Sequence, residues 1–253
     1  MILPFRLPLL GLPLLAALAQ PVSALDLTAM TEAETAAFGD AVRAYLLENP
    51  QILIEVIGIL ERREAETAAQ LDQALVAQYS AEVFDDGHSW VGGNPDGDVT
   101  LVEFIDYRCG YCRRAFQEVE ELLAADGNIR FIVKEYPILG PQSELSASFA
   151  IAVHQIHGDQ IYEDVHNALM VLESDVTPES LAALAEGFAL DPSPIMERMT
   201  GSEVRAVLDA NRALGAAMQI NGTPTFILND QMVRGYVPLA QMQALVADQR
   251  SAD

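Results

Sequence analysis

The two cysteines of this 253-residue chain stand three positions apart, in Cys109-Gly110-Tyr111-Cys112. At that spacing two thiols can meet as a disulfide across the first turn of a helix. A bridge over two residues closes almost no loop, so it adds little by constraining the unfolded chain. The pair suits exchange better than stapling. Cys109 is expected at the helix N-terminus, where unpaired N–H groups and the helix dipole favour an anion. That makes it the attacking thiolate. Cys112, one turn further in, is then the resolving thiol. Arg108, Arg113 and Arg114 cluster around the pair, three of the 14 basic residues of the chain. They either favour the thiolate or are solvated surface charge. Glu103 lies six residues before Cys109, inside an apolar run. Facing inward beneath the pair, it could take and return the proton of Cys112, directly or through a water. Facing outward, it is a surface carboxylate. Lys134 on a neighbouring strand is a candidate partner, because a buried carboxylate needs one or must be protonated. Thr223-Pro224 precedes a β-rich segment, and the residues alone leave its peptide bond at the trans default.

The ends and the composition set the context. Arg6 is the only charge among the first 24 residues, a Leu- and Ala-rich stretch runs from Leu7 to Ala19, and Val22-Ser23-Ala24 has the small-x-small pattern of a cleavage site. Residues 1–24 are therefore expected to be a secretory signal cut near Ala24, leaving an exported, periplasmic protein. The alternative, a membrane anchor, is opposed by Pro8 and Pro13 and by a length below the ~20 residues a span needs. Outside the cytosol a disulfide can persist. Acidic residues outnumber basic ones 37 to 14, for a net charge of −23. Such a chain is a poor partner for nucleic acid or anionic lipid, and the charge serves solubility.

The elements that must position these residues follow from pattern. Residues 28–80 read as helices. Thr31 and Glu34 form a capping-box pattern, and Asn49-Pro50 marks a stop and a restart, with Asn49 as N-cap and Pro50 at N1. Seven of the nine residues Ile52–Leu60 are large aliphatics, so the helix is apolar on nearly every face and needs burial. An oligomerisation arm over residues 25–80 explains this, as does packing on the chain's own domain. Short β segments are expected near Ala81–Phe84 and Ser89–Val91. Val99–Ile105 reads as a buried strand, Cys109 to Ala125 as a helix and Ile129–Glu135 as the next strand, a βαβ unit with parallel strands. Residues 142–219 read as helical, punctuated by Gly158, Pro178, Gly187, Pro192, Pro194 and Gly201. Thr225–Leu228 and Met232–Gly235 read as a hairpin about Asn229-Asp230, and Leu239–Asp248 as a closing helix.

Taken together, Cys-Gly-Tyr-Cys at a strand-to-helix junction, Glu103 before it and Gly222-Thr223-Pro224-Thr225-Phe226 before a terminal hairpin resemble the thioredoxin superfamily. The segment Gly93 to Phe104 and the helical block of about 141–201 are similar to DsbA-like exported proteins. The resemblance implies an α/β thioredoxin fold with a helical insertion over residues 81–253, and a cofactor-free protein-disulfide oxidoreductase. It implies a cis Pro224 facing the disulfide, Thr223 offering backbone hydrogen bonds to a bound peptide beside Gly110 and Tyr111, and Glu103 at the buried-acid position. The helices ahead of the domain resemble the suppressor-of-copper-sensitivity (ScsC-like) branch, whose arm implies a homo-oligomer through residues 28–80. The Gly-Tyr dipeptide is shared with the dimeric isomerase DsbC, and oligomers suit isomerisation. Arg113 and Arg114 depart from the acidic residues that follow the motif in DsbA proteins. Implied partners are reduced or wrongly bridged secreted polypeptides and a membrane protein that recycles the cysteine pair.

Two other readings stay open. Cys109 and Cys112 could hold copper(I) or zinc, with Met218 or Met232 as a third ligand, because thiolates suit these ions. The arm could instead be a chaperone, with the redox domain an accessory. His154 and His157, at i and i+3, and His166 could form a metal site, but structural roles in the helical insertion account for them better.

Overall fold

The computed structural model describes residues 27–252, so the expected signal segment lies outside the described residues. The chain divides into two compact units at Glu61/Arg62. In the first, α1 (Glu32–Glu48) starts on the Thr31–Glu34 capping box and buries no residue. It ends at Asn49, whose side chain donates back to the carbonyl of Tyr45 at 2.8 Å. Asn49 therefore closes α1 instead of capping α2 (Gln51–Gln78), as the sequence had suggested. Leu53, Ile54, Val56, Ile57, Ile59 and Leu60 at the start of α2 are exposed within the single chain.

The second unit is built on a five-stranded sheet of order β1-β3-β2-β4-β5. The strands are β1 (Trp90–Gly93), β2 (Val99–Ile105), β3 (Ile129–Glu135), β4 (Thr225–Leu228) and β5 (Gln231–Arg234). β2 and β3 pair in parallel across the expected βαβ unit, with α4 (Gly110–Asp126) as the crossover. The other pairings are antiparallel. Gly93 ends β1 at φ +65°, and a Cβ there would stand 2.4 Å from the carbonyl oxygen of Ile129. The close approach leaves room only for glycine.

Side chains alternate across the sheet, and both faces are covered. Val99, Leu101, Ile105, Phe131, Val133 and Phe226 face α4 and the helical block. That block comprises α5 (Pro141–His157), α6 (Asp159–Val171), α7 (Pro178–Gly187), α8 (Pro192–Met199) and α9 (Ser202–Ala217), with α10 (Leu239–Ala252) closing the chain. Pro178 and Pro192 sit in the first turns of their helices, where no N–H is missed. Pro194 lies inside the first turn of α8 and does not break it. On the other face, Val102, Phe104, Ile132 and Ile227 meet Leu214, Met218, Val76 near the end of α2 and Val83.

Val83 belongs to α3 (Ser80–Phe84), a helix where the sequence suggested a strand. α3 begins two residues after α2 ends, and Val83 N–H bonds the carbonyl of Tyr79 at 2.9 Å. One helical turn lets Val83 cover the sheet while the Glu82 and Phe84 carbonyls receive Lys134 Nζ at 2.7 Å and Arg130 Nη2 at 2.9 Å.

Candidate active site

Cys109 is the N-cap residue of α4, with extended backbone at φ −77°, ψ 117°. Its N–H donates to the Asp106 carbonyl at 3.0 Å, and its carbonyl receives the first helical bond from Arg113 at 3.1 Å. The sulfur is thus held at the mouth of the helix. Cys109 and Cys112 are not bonded to each other in this structure. Cys109 is recessed, with 7% of its surface open, whereas Cys112 has none. The Cys109 thiol donates to the Thr223 carbonyl at 3.2 Å, across 114 residues of sequence. The Thr223–Pro224 peptide bond is cis.

The two sulfurs are electrostatically unequal. The Cys109 pKa falls to about 5, chiefly because the Cys112 thiol donates to the anion, with further help from the Thr223 side chain and from the backbone N–H groups of Cys112 and Tyr111, against the penalty of burial. Burial first, and then the bond to Cys109, push the Cys112 thiol far up. The bond from the inner thiol therefore favours the anion on the outer sulfur, and burial keeps the inner one protonated. The arginine cluster plays a different part. Arg113 Nε donates to the Tyr107 carbonyl at 2.7 Å and Nη2 to the Leu172 carbonyl at 2.5 Å. Arg108 Nη1 reaches the Ser174 carbonyl at 3.1 Å. Arg114 lies over the Tyr236 ring, 4.4 Å from its centroid.

Glu103 points inward. It is buried, Oε1 has no hydrogen-bond partner, and its pKa rises to about 8, through desolvation first and the nearby Cys109 charge second. Lys134 is not its partner. In the parallel register Glu103 stands opposite Val133, and Lys134 opposite Phe104, on the other face of the sheet. There Lys134 pairs with Asp86. Tyr111 projects outward, 62% exposed, with its ring 6.4 Å from that of Tyr236. Gly110 is exposed beside it.

Two groups near the pair escaped sequence reasoning. Asp106 is buried and accepts the N–H groups of Arg108 at 2.8 Å, Ile138 at 2.8 Å and Leu139 at 3.0 Å. The bond to the residue two positions on is an Asx pattern, which the loop sequence Asp106-Tyr107-Arg108 carries. Tyr107 reaches Glu135 Oε1 at 2.7 Å and His166 Nδ1 at 3.0 Å, and Tyr162 shares the same carboxyl oxygen at 2.7 Å. Burial lifts the Glu135 pKa to about 8 and lowers that of His166 to about 3. No local motif announces this network, because its members come from a loop, a strand end and a helix.

The histidines and methionines of the metal reading are scattered. His154 Nε2 meets Asp159 at 2.7 Å, while His166 belongs to the tyrosine network. Met218 and Met232 lie in the core cluster on the sheet face away from the cysteines. Among the described residues, no three His, Cys, Asp or Glu side chains are grouped as for a metal ion.

Comparison with known proteins bears on the family and the fold. Residues 85–248 match the family described as Thioredoxin. The chain belongs to the thioredoxin family. Residues 34–66 match the model described as the copper resistance protein ScsC N-terminal domain. Among solved structures, a thioredoxin-like oxidoreductase from Silicibacter pomeroyi DSS-3 is 39% identical, with a TM-score of 0.64 over 68% of this chain and 98% of that one. A linker-deleted ScsC variant from Proteus mirabilis is 22% identical and shares the fold, with a TM-score of 0.68 over 89% of this chain and 99% of that one. A curated relative, Na(+)/H(+) antiporter NhaA 1 of Salinispora arenicola, is 30% identical over 166 residues, 64% of this chain. The chain spans about a quarter, 25%, of that relative's length. Among the described residues, no helix is long and apolar enough to cross a membrane.

Proposed function

We propose that the chain is an exported, periplasmic protein thiol–disulfide oxidoreductase acting on secreted polypeptides as an oxidase or isomerase of their disulfides. The observation that carries this is the unequal pair at the mouth of α4, an outer sulfur with a pKa near 5 and an inner one held protonated. In the reducing direction, the Cys109 thiolate attacks one sulfur of a client disulfide and the other client sulfur leaves as a thiolate. The Cys109 charge is then gone, and with it one of the two causes that hold the Glu103 proton. Glu103, freed to ionise, gives its proton to the departing client thiolate and then takes the proton of Cys112. The Cys112 thiolate attacks Cys109 and expels the second client thiolate, leaving the client reduced and the pair oxidised. Oxidation of a client is the same path reversed: the client thiolate attacks Cys109, Cys112 leaves, and Glu103 returns the proton. In isomerisation a client thiolate resolves the mixed disulfide and no electrons are transferred overall.

The remaining roles are part of the same proposal. Thr223 and Pro224 hold an extended client strand through backbone bonds, with Gly110 and Tyr111 at its edge. The chemistry needs no cofactor, and a membrane redox partner recycles the pair. The signal segment is removed near Ala24, and the aliphatic run in residues 28–80 joins copies of the chain. Light scattering on the mature chain tests the last point, and a monomer at micromolar concentration refutes it. For the chemistry, Cys109→Ala is expected to abolish insulin reduction and refolding of a scrambled substrate. Full activity in that variant would overturn the assignment.

A further inference from the structure

The network of Tyr107, Glu135, Tyr162 and His166 has no part in the exchange steps, yet it stands where the chain leaves the sheet for α4. Glu135, the last residue of β3, pairs with Ile105, the last residue of β2. Tyr107 lies two residues beyond Ile105 and two before Cys109. The Tyr107 hydroxyl has one proton. Donating it to Glu135 Oε1 at 2.7 Å leaves the phenol oxygen to accept from His166 Nδ1 at 3.0 Å. Tyr162 donates to the same Glu135 oxygen at 2.7 Å. The other oxygen, Oε2, is buried and meets no protein partner. Glu135 also lines a small cavity of about 10 Å³, room for one water, together with His88, Trp90, His154 and Asn211. With Oε1 taken by two phenols, Oε2 is the atom left to face that cavity.

No cation meets either oxygen, so an ionised Glu135 would be a bare buried charge. Burial first, and then the Asp106 charge, raise its pKa to about 8, against the two phenol bonds. The titratable groups around it are Asp106 and Tyr107 of the loop, Tyr162 and His166 of α6, His154 of α5, and His88 ahead of β1. A neutral carboxylic acid has one O–H to donate and oxygens to accept. Here Oε1 accepts the phenols, and a proton on Oε2 can go to a water in the cavity. We propose that Glu135 is a positioning residue for the exchange: a neutral acid completed by a buried water on Oε2, it pins Tyr107 and so the turn that sets Cys109 at the mouth of α4. The Tyr107 carbonyl also receives Arg113 Nε, directly after Cys112, so one residue ties the network to both ends of the motif. Being uncharged, the anchor adds no third negative charge to a turn that already holds the Asp106 carboxylate and the Cys109 thiolate. The inference rests on the proposed exchange reaction and adds to it what holds the nucleophile in place.

The full mature protein contains its own reporter. Trp90, the only tryptophan, lines the cavity and lies 5.5 Å from the Tyr162 ring. Its emission is expected to inflect near pH 8 in the wild type and in Glu103→Gln, and not in Glu135→Gln. A wild type without the inflection, or an inflection that survives Glu135→Gln, overturns the proposal. Alkylation of Cys109 by iodoacetamide against pH then reads the thiolate. Tyr107→Phe and Glu135→Ala are expected to move that titration up by about one pH unit, a tenfold loss of thiolate at low pH and the size of one hydrogen bond to a charged group. Glu135→Gln, which keeps an acceptor for the phenols and a donor for the water, is expected to restore the wild-type titration. Loss of packing alone would lower stability without moving the sulfur. Should Glu135→Ala fail to fold, Tyr107→Phe, which removes a single oxygen, decides. An unmoved titration in Tyr107→Phe overturns the proposal, as does a shift in Glu135→Gln as large as in Tyr107→Phe. A wild-type Cys109 that titrates as an ordinary thiol would instead sink the exchange reaction itself.

Discussion

Glu103 shows how one buried group can carry both a benefit and a penalty. Its folded-state pKa is raised to about 8, so it is the reverse of a stabilising carboxylate. The stability it allows is full below its unfolded pKa, about 4.3, and is lost as the pH rises towards the folded value. At pH 7 the native state therefore bears the penalty of keeping a proton on it. Glu103→Gln is expected to raise stability at pH 7 by on the order of 2 kcal/mol, with the gain vanishing near pH 4. Urea denaturation at the two pH values measures both. The same substitution removes the proton acceptor for Cys112 and is expected to slow release of the mixed disulfide by about a hundredfold. A variant that is more stable and equally fast would leave Glu103 without a role in the reaction. Part of this was legible beforehand: the spacing of the cysteines and the cap position follow from local pattern, while strand alternation left Glu103 open between the two faces and only the family resemblance pointed inward. The Lys134 partnership failed because strand register is set by long-range pairing. The parallel register places Lys134 opposite Phe104, so Glu103 and Lys134 cannot share a face.

At the scale of elements, the misread helix α3 is the instructive one. Ser80–Phe84 holds two adjacent apolar residues, Val83 and Phe84, and a window so short carries no usable period. Its conformation is decided by what it covers. Val83 is fully buried on the sheet face lined by Val102 and Phe104, beside Val76 of α2. The thioredoxin sheet thus borrows one cover from the segment before it. Val83→Ala is expected to destabilise the second unit by about 2 kcal/mol, read as a lower urea midpoint at unchanged slope. A change within ±0.5 kcal/mol, typical of a surface site, would show that α3 is dispensable to the fold. By contrast β2, α4 and β3 were readable, because seven-residue apolar strands and a capped helix announce themselves within their own windows.

For the whole molecule, the anion at Cys109 links redox state to stability. Its folded pKa, about 5, is depressed, so the stabilisation it gives the reduced protein is complete above the unfolded thiol value and is lost as the pH falls through 5. The oxidised protein has no such group. The melting temperature of the reduced form minus that of the oxidised form is therefore expected to increase from pH 5 to pH 8, measured by differential scanning calorimetry. A difference that stays flat over this range would show that the sulfur is an ordinary thiol. The arm, in contrast, was legible as helix and not as assembly, because an aliphatic stretch states that it needs cover without stating whose.

The bond from Cys109 to the Thr223 carbonyl has a temporal meaning as well. Thr223 reaches the helix mouth only when β4 has paired with β2, and β4 lies near the end of the chain. A copy still unwound beyond α9 has its cysteines but lacks the wall that completes their surroundings. Such a copy lacks the carbonyl that meets the Cys109 S–H, while the donor that chiefly favours the anion, the Cys112 thiol, stands three residues away and needs no distant strand.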